Sequence, residues 1–203
     1  ELHIGKNVKR ISELAFVETQ KSLEKITVDI NNTRYTDLNS NIIVSCKHND
    51  LILACCNSTI PLGVEKINKY SFAYISNLKK IIIPSSVKII EKYAFTHNHS
   101  LEIVHMENPH TIGSGAFENC YSLKHINLPT SVALIGDKAF NNTSVEEVII
   151  PEGLNRISNG TFQGCTSLSN IEIPETITSI GCYAFEQCNE IKNIVIPDSV
   201  TMI

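Results

Sequence analysis

IEIPETITSIGCYAF occupies residues 171–185, and the same pattern recurs along the chain. Three further copies read IIIPSSVKIIEKYAF at 81–95, INLPTSVALIGDKAF at 126–140 and VIIPEGLNRISNGTF at 148–162. Aligned, they define the template LxxIxIPxxVxxIxxxAFxxCxx, whose phenylalanine recurs with spacings of 23, 22, 23, 22 and 23 residues at Phe72, Phe95, Phe117, Phe140, Phe162 and Phe185. A fixed period of this size indicates a repeat architecture in which each repeat is one turn of a coil.

The template explains why one repeat forms one turn. Its first apolar residues alternate with polar ones, as at Ile171 and Ile173, which predicts a short strand with one buried face. The proline that follows has no N–H and ends the strand, so the chain bends at the same place in each repeat. A second bend often contains a glycine, as at Gly113, Gly136 and Gly181, where a positive φ would be tolerated. The six phenylalanines should form the structural core, stacked about 4.8 Å apart, because no single repeat buries its apolar face alone.

Two departures from the template predict where the coil changes. The copy at 104–117 is one residue shorter than its neighbours and has Glu107 in the proline position, so we expect a local irregularity there. Phe16 and Phe72 are 56 residues apart, which indicates an insertion at about 30–58. Within it, the apolar runs 42–44 and 51–55 are joined by the polar sequence KHND, a pattern typical of a β-hairpin. The repeats start and stop in mid-turn, so residues 1–203 are expected to form a single array truncated at both ends.

Composition argues against several classes of partner. The net charge of −4 comes from scattered residues, so the sequence predicts no nucleic-acid binding and no dense basic face for anionic lipid. No apolar run approaches the roughly 18 to 20 residues that cross a bilayer, which predicts no membrane insertion by this stretch. The apolar ends of the array carry no polar caps, and such ends favour end-to-end self-association.

The template resembles the BspA-like leucine-rich repeat, whose hallmark is I-P-x-x-V-x-x-I-G-x-x-A-F-x-x-C. The resemblance covers nearly the whole chain, and residues 26–61 also resemble the hairpin-bearing insertion often seen in such proteins. It implies a leucine-rich-repeat solenoid, an α/β-class horseshoe of mostly short parallel β-strands and irregular turns, with about 23 residues per turn. It also implies a surface or secreted protein of a bacterium or a protozoan parasite, in some cases adhesive, with no shared catalytic residues.

Cysteines form the first candidate site. Three of them occupy the same position, three residues after a repeat phenylalanine: Cys120, Cys165 and Cys188. Metal or redox chemistry is conceivable there, but a column of small buried thiols is expected, and parallel Cβ vectors disfavour a disulfide between adjacent turns. In the insertion, Cys46 with Cys55 or Cys56 is the pair best placed for a disulfide in an oxidising environment.

Histidines form the second candidate site. Five fall within 29 positions, which raises the question of a metal: His97, His99, His105, His110 and His125. The template places His105 and His125 at outward strand positions on adjacent turns and the other three in bends elsewhere, so surface histidines are expected instead. We predict no metal and no cofactor. The sequence has no Ser/His/Asp order, no HExxH and no phosphate-binding glycine loop, so it predicts no catalytic residues and no enzyme.

Outward strand positions are the predicted ligand face, because stacking joins them into one sheet surface. The candidates from two adjacent columns are Ile82, His105, Asn127, Ile149, Glu172 and Val195, then Lys80, Ile103, His125 and Glu147. Apolar residues on such a face favour a partner site, with an inert spacer as the alternative. We therefore predict a noncatalytic binding or adhesion module of a cell-surface or secreted protein, with a protein or glycan ligand. An intracellular interaction scaffold, mildly favoured by the cysteines, and an accessory array of a larger enzyme are the alternatives.

Overall fold

The computed structural model describes residues 1–203 and shows a β-solenoid of about 8 turns, with about 23 residues in each turn. The strands are short, and those of successive turns run parallel. One four-residue 3-10 helix, Thr19–Ser22, is the single helical element. The predicted leucine-rich-repeat solenoid is thus confirmed, with almost no helix. None of the chain forms a helix with the length and apolarity that a membrane crossing requires.

The first turn and the insertion pack together at one end of the coil. Their strands, together with the strand that follows them, are β1 (Leu2–Ile4), β2 (Ile26–Val28), β3 (Tyr35–Thr36), β4 (Ile42–Ser45), β5 (Asp50–Ala54) and β6 (Lys66–Ile67). Strand β1 pairs in parallel with β2, and β4 pairs antiparallel with β5, which confirms the predicted hairpin. Strand β5 then pairs in parallel with β6. The hairpin therefore extends a sheet of the solenoid.

From β6 onward, each turn contributes strands to two parallel ladders. The remaining strands in chain order are β7 (Lys80–Ile83), β8 (Ile89–Ile90), β9 (Ile103–Met106), β10 (Thr111–Ile112), β11 (His125–Ile126), β12 (Leu134–Ile135), β13 (Glu147–Ile149), β14 (Arg156–Ile157), β15 (Asn170–Glu172) and β16 (Ser179–Ile180). The odd-numbered strands from β7 form the first ladder. They are the strands that the sequence predicts before the proline position of each repeat. The even-numbered strands from β6 form a second ladder, which the sequence pattern did not predict.

The six repeat phenylalanines form one file through the interior. Neighbouring ring centroids are 4.8 to 5.9 Å apart, and the ring planes are 5° to 20° from parallel. Five of the six rings belong to a core cluster of 41 buried residues. The sixth, Phe185, is partly exposed and packs against this cluster. Backbone hydrogen bonds join adjacent turns along this file. Phe95 N–H donates to the Ala116 carbonyl at 2.8 Å, and Phe117 N–H donates to the Ala139 carbonyl at 2.8 Å.

The glycines of the second bend provide space, not a positive φ. None of Gly113, Gly136 and Gly181 has a positive φ, although glycine would tolerate one there. A Cβ on Gly136 would lie 2.5 Å from the backbone nitrogen of Ser114 in the preceding turn, closer than real Cβ contacts. Positive φ occurs instead two residues before and after the phenylalanine, as at Tyr93 (58°) and His97 (59°) around Phe95. The glycines therefore set how closely adjacent turns approach at this bend.

Both ladders are interrupted between the same two turns. The first ladder ends at β11 and restarts at β13, and the second ends at β12 and restarts at β14. No backbone hydrogen bond joins residues 122–136 to residues 144–158, and we call this interruption the seam. The two turns stay joined on the phenylalanine side, where Phe140 N–H donates to the Thr161 carbonyl at 3.0 Å. The expectation of one continuous sheet surface is therefore wrong.

Candidate ligand groove at the seam

The residues of the predicted ligand face are mostly exposed, and neighbouring turns align in the expected columns. The pairs in register are Lys80 with Ile103, Ile82 with His105, Ile103 with His125, and Ile149 with Glu172. Ile82 is 49% exposed, Ile149 61% and Val195 79%, large values for apolar side chains. That this face binds a ligand stays a prediction.

An open groove of about 750 Å³ lies over the seam on the first-ladder side. It brings together six of the predicted face residues: Ile103, His105, His125, Asn127, Glu147 and Ile149. The other four, Lys80, Ile82, Glu172 and Val195, lie outside it. The volume falls in the range of about 300 to 1,000 Å³ that is usual for ligand sites. The interruption of the sheet thus concentrates the face into one concave site.

The two walls of the groove carry opposite charges. Lys124 and His125 lie on the wall before the seam, and Glu146 and Glu147 on the wall after it. Lys124 Nζ is 3.9 Å from Glu146 Oε1, which is too long for a hydrogen bond, and both side chains are more than half exposed. Such a surface pair contributes only about 0 to 1 kcal/mol. Both charges are therefore available to a ligand at little energetic cost.

Backbone groups of the groove residues have lost the partners that their equivalents keep. At the flanking turn junctions, Lys124 N–H donates to the Glu102 carbonyl at 3.1 Å and Ser169 N–H donates to the Glu146 carbonyl at 3.0 Å. The corresponding bond across the seam would join Glu146 N–H to the Lys124 carbonyl, and neither group has a hydrogen-bond partner in the protein. Backbone groups are strong donors and acceptors that are normally paired. Glu147 N–H is also without a partner across the seam, whereas its equivalents His125 and Asn170 donate to the Glu102 and Glu146 carbonyls. The groove residues therefore offer more than one free backbone donor in addition to the free Lys124 carbonyl.

A missing residue accounts for the seam. Leu168 lies six positions after Phe162, whereas Val145 lies only five positions after Phe140. Val145 is fully buried and fills the leucine position of the core. We attribute the lost ladder bonds to this shorter connection, which changes where the following strand begins relative to β11. Sequence reasoning did not locate the seam, although the five-residue step from Phe140 to Val145, where the other repeats have six, is its signal.

Two side chains replace backbone bonds close to the seam. Asn127 accepts from Met106 N–H at 3.1 Å and donates to the Met106 carbonyl at 2.9 Å, so a side-chain amide continues the pairing beyond β11. On the second ladder, Ser158 Oγ donates to the Ile135 carbonyl, which has no backbone donor across the seam. These bonds limit how far the two turns separate.

The cysteine column consists of buried thiols bonded to backbone. Cys120 Sγ donates to the Phe95 carbonyl at 3.1 Å, and Cys165 Sγ donates to the Phe140 carbonyl at 3.1 Å. Burial raises the pKa of Cys120 to about 12 and that of Cys165 to about 11, because a thiolate is poorly solvated there. The thiolate is the reactive form, so these residues are unreactive packing groups that also satisfy the carbonyls of the phenylalanine file.

The hairpin register contradicts the disulfide considered for the insertion. Ile42 lies opposite Ala54, so Cys55 lies beside position 41, whereas Cys46 lies past the other end of β4. At about 3.3 Å per residue, positions 41 and 46 are about 16 Å apart along the strand. A disulfide needs Cα atoms within about 7 Å. All seven cysteines are free in the structure.

We expect the cysteines to divide by exposure when the native protein is treated with a thiol reagent at pH 8. Cys46 and Cys182 are exposed and should react within seconds to minutes, whereas Cys55, Cys120 and Cys165 are buried and should react only after unfolding. Mass spectrometry of alkylated peptides reads out each site. Rapid labelling of Cys120 in the folded protein would contradict its place in the core.

The histidines do not converge on one site. His97 stacks on Tyr74, with ring centroids 4.7 Å apart, and its ring is tilted by 51° from that of His99, 5.9 Å away. Burial, followed by the charge of His99, lowers the pKa of His97. His105 and His125 lie apart from these rings, in the groove. No group of three or more His, Cys, Asp or Glu side chains is arranged to hold a metal ion.

Comparison with known proteins places the chain among bacterial repeat proteins. A family model described as a BspA type leucine rich repeat region, with six copies, matches residues 1–108, 52–165 and 99–203. A leucine rich cell surface protein from Faecalibacterium prausnitzii is 27% identical, with a TM-score of 0.68 over 95% of this chain and 46% of its own. No curated protein matches the chain.

Two further solved structures show the same fold. A leucine-rich repeat protein from Eubacterium ventriosum is 24% identical, with a TM-score of 0.67 over 98% of this chain and 56% of its own. The pneumococcal vaccine antigen PcpA is 20% identical, with a TM-score of 0.65 over 99% of this chain and 49% of its own. This chain therefore spans about half the length of these three proteins.

Proposed function

Because this chain belongs to the BspA-type leucine-rich repeat family, we propose that it is a noncatalytic binding module of a cell-surface or secreted protein. Its ligand is a protein or a glycan, and it binds on the outward side of the first ladder. The observation that carries this proposal is the row of exposed apolar residues at outward strand positions. A rigid sheet presents them together with charges of both signs.

The exposed isoleucines support a partner surface. Ile82 in β7 is 49% exposed, Ile103 in the adjacent strand β9 is also exposed, and Ile149 in β13, beyond the seam, is 61% exposed. Isolated apolar residues are common on protein surfaces, but residues that recur on neighbouring strands of one face mark interaction sites. Stacked turns hold them in fixed positions, so little conformational entropy is lost when a partner binds.

The family context supports the surface location and the absence of catalysis. The related protein from Faecalibacterium prausnitzii is described as a cell surface protein. Repeats of this family are generally noncatalytic, and a stacked array of turns provides an extended face for binding. These properties together support an adhesion or recognition role at a cell surface.

The test compares two faces of the same solenoid. Purified protein is applied to an array of glycans and to a panel of purified secreted proteins, alongside the double variant Ile82→Ser with Ile149→Ser. Leu134→Ser is the matched control, because Leu134 is 51% exposed on the second ladder. We expect the double variant to lose at least tenfold in affinity for each ligand that the wild type binds, and the control to bind normally. Equal losses in both variants, or no binding by the wild type, would contradict the proposal.

A further inference from the structure

The seam gives the first ladder two interior strand edges that face each other across the groove. Edges of this kind normally occur only at the borders of a sheet, where they pair with other chains. Lys124 and Glu146 both line the groove, and the Lys124 carbonyl and the Glu146 N–H have no hydrogen-bond partner in the protein, although the equivalent groups at the flanking turn junctions are bonded. A ligand that fills the groove gains those two hydrogen bonds in addition to any side-chain contact.

We propose that the groove at the seam binds an extended peptide, whose backbone donates to the Lys124 carbonyl and accepts from the Glu146 N–H. This rests on the proposed binding function and names the class of ligand. Each residue of a peptide backbone carries one donor and one acceptor, so a bound peptide can supply hydrogen-bond partners for the Lys124 carbonyl and the Glu146 N–H. Recognition of extended peptides by free strand edges is a general mode in which main-chain bonds give affinity and side-chain pockets give specificity.

The side chains of the groove define which peptides fit. Side chains of an extended peptide point alternately to opposite sides, so neighbouring residues reach different walls. An acidic residue is favoured beside Lys124 and His125, and a basic residue beside Glu146 and Glu147. Ile149, 61% exposed, provides an apolar surface at the far side of the groove. The expected ligand is therefore a mixed-charge segment with an apolar residue next to it.

The lining favours a peptide over a sugar. No phenylalanine, tyrosine or tryptophan lines the groove, whereas sugar rings commonly pack against the faces of such side chains. The apolar lining is aliphatic, and it suits aliphatic peptide side chains. The tyrosines of this protein lie elsewhere, for example Tyr74, which stacks on His97.

The chain offers a variant that should close the groove without changing its side chains. Inserting one threonine between Thr143 and Ser144 restores the spacing and the residue order seen from Cys165 to Leu168. The restored spacing lets β13 pair with β11, which consumes the free backbone groups. The insertion lies outside the groove lining, so a loss of binding in this variant reports on the seam and not on a removed contact.

The experiment pans a phage library of random linear dodecapeptides on the wild type after depletion on the insertion variant. Enriched sequences are synthesised, and their affinities are measured by fluorescence anisotropy for both proteins. We expect the insertion variant to bind at least tenfold more weakly. Lys124→Ala is expected to weaken binding, with Lys192→Ala as its control, since Lys192 holds the same column position outside the groove. This pair tests the proposal even if the insertion variant does not fold.

Amide hydrogen exchange adds a readout of the backbone contact. The Glu146 amide should exchange fast in the free protein and slow down when an enriched peptide is added, whereas the Ser169 amide, already bonded to the Glu146 carbonyl, should be slow in both states. A library with no enrichment, or peptides that bind both proteins equally, overturns the proposal. Glycan binding that the insertion abolishes, without any peptide binding, also overturns it but leaves the proposed binding function intact.

Discussion

Replacing Phe140 with alanine is expected to lower the free energy of unfolding by about 3 to 5 kcal/mol, the usual cost of truncating a buried aromatic residue. Phe140 is fully buried, and its ring stacks on Phe117 at 5.6 Å and on Phe162 at 5.7 Å. Removal leaves a cavity that touches both neighbouring turns. Because each turn of a solenoid is stabilised by its neighbours, the loss affects two turn interfaces at once.

The control for this variant is Phe185→Ala. Phe185 occupies the same template position but is partly exposed and stacks on one phenylalanine only, Phe162 at 5.9 Å. We expect a smaller loss of stability for this change, because less apolar surface returns to water. Urea denaturation followed by circular dichroism measures both values. A loss of unfolding free energy below about 1 kcal/mol for Phe140→Ala would contradict the assignment of Phe140 to the core.

The sequence predicts the coil and the hairpin because both depend on local patterns. The 23-residue recurrence of IxIP and AF places one strand and one aromatic residue in every turn, and no tertiary information is needed to see it. The hairpin follows from two apolar runs around KHND. These features are repeated or contiguous, so each copy supports the others.

The features that the sequence did not predict arise from contacts between turns. The second ladder consists of two-residue strands such as Ile89–Ile90, which are too short to show alternation. The role of Gly136 depends on a backbone atom of the preceding turn, and this contact is visible only in three dimensions. The seam depends on one absent residue before Val145, whose effect is a change of register and not of composition. The candidate face was therefore predicted residue by residue, but its concentration into a groove was not.

Asn98→Ala is expected to lower the free energy of unfolding by about 2 to 6 kcal/mol, since it leaves two buried polar groups without a partner and each costs about 1 to 3 kcal/mol. Asn98 is fully buried, and its Nδ2 donates to the carbonyls of Phe72 and Phe95, each at 2.8 Å. Its Oδ1 accepts from Ile75 N–H at 2.8 Å. The Phe95 carbonyl keeps a second donor, the Sγ of Cys120. The alanine variant therefore leaves two backbone groups without a hydrogen-bond partner, the Phe72 carbonyl and the Ile75 N–H.

A neighbouring turn shows which side chain could replace Asn98 at a smaller cost in stability. Cys120 holds the same position one turn later, and its Sγ donates to the carbonyl of the preceding phenylalanine at 3.1 Å. Asn98→Cys should therefore keep the bond to the Phe72 carbonyl and lose less stability than Asn98→Ala. Asn193→Ala, at an exposed position, should change stability by less than about 0.5 kcal/mol. Urea denaturation measures these losses. If Asn98→Cys and Asn98→Ala were equally destabilising, the side chains three residues after each repeat phenylalanine would stabilise the protein by filling space and not by their hydrogen bonds to the phenylalanine carbonyls.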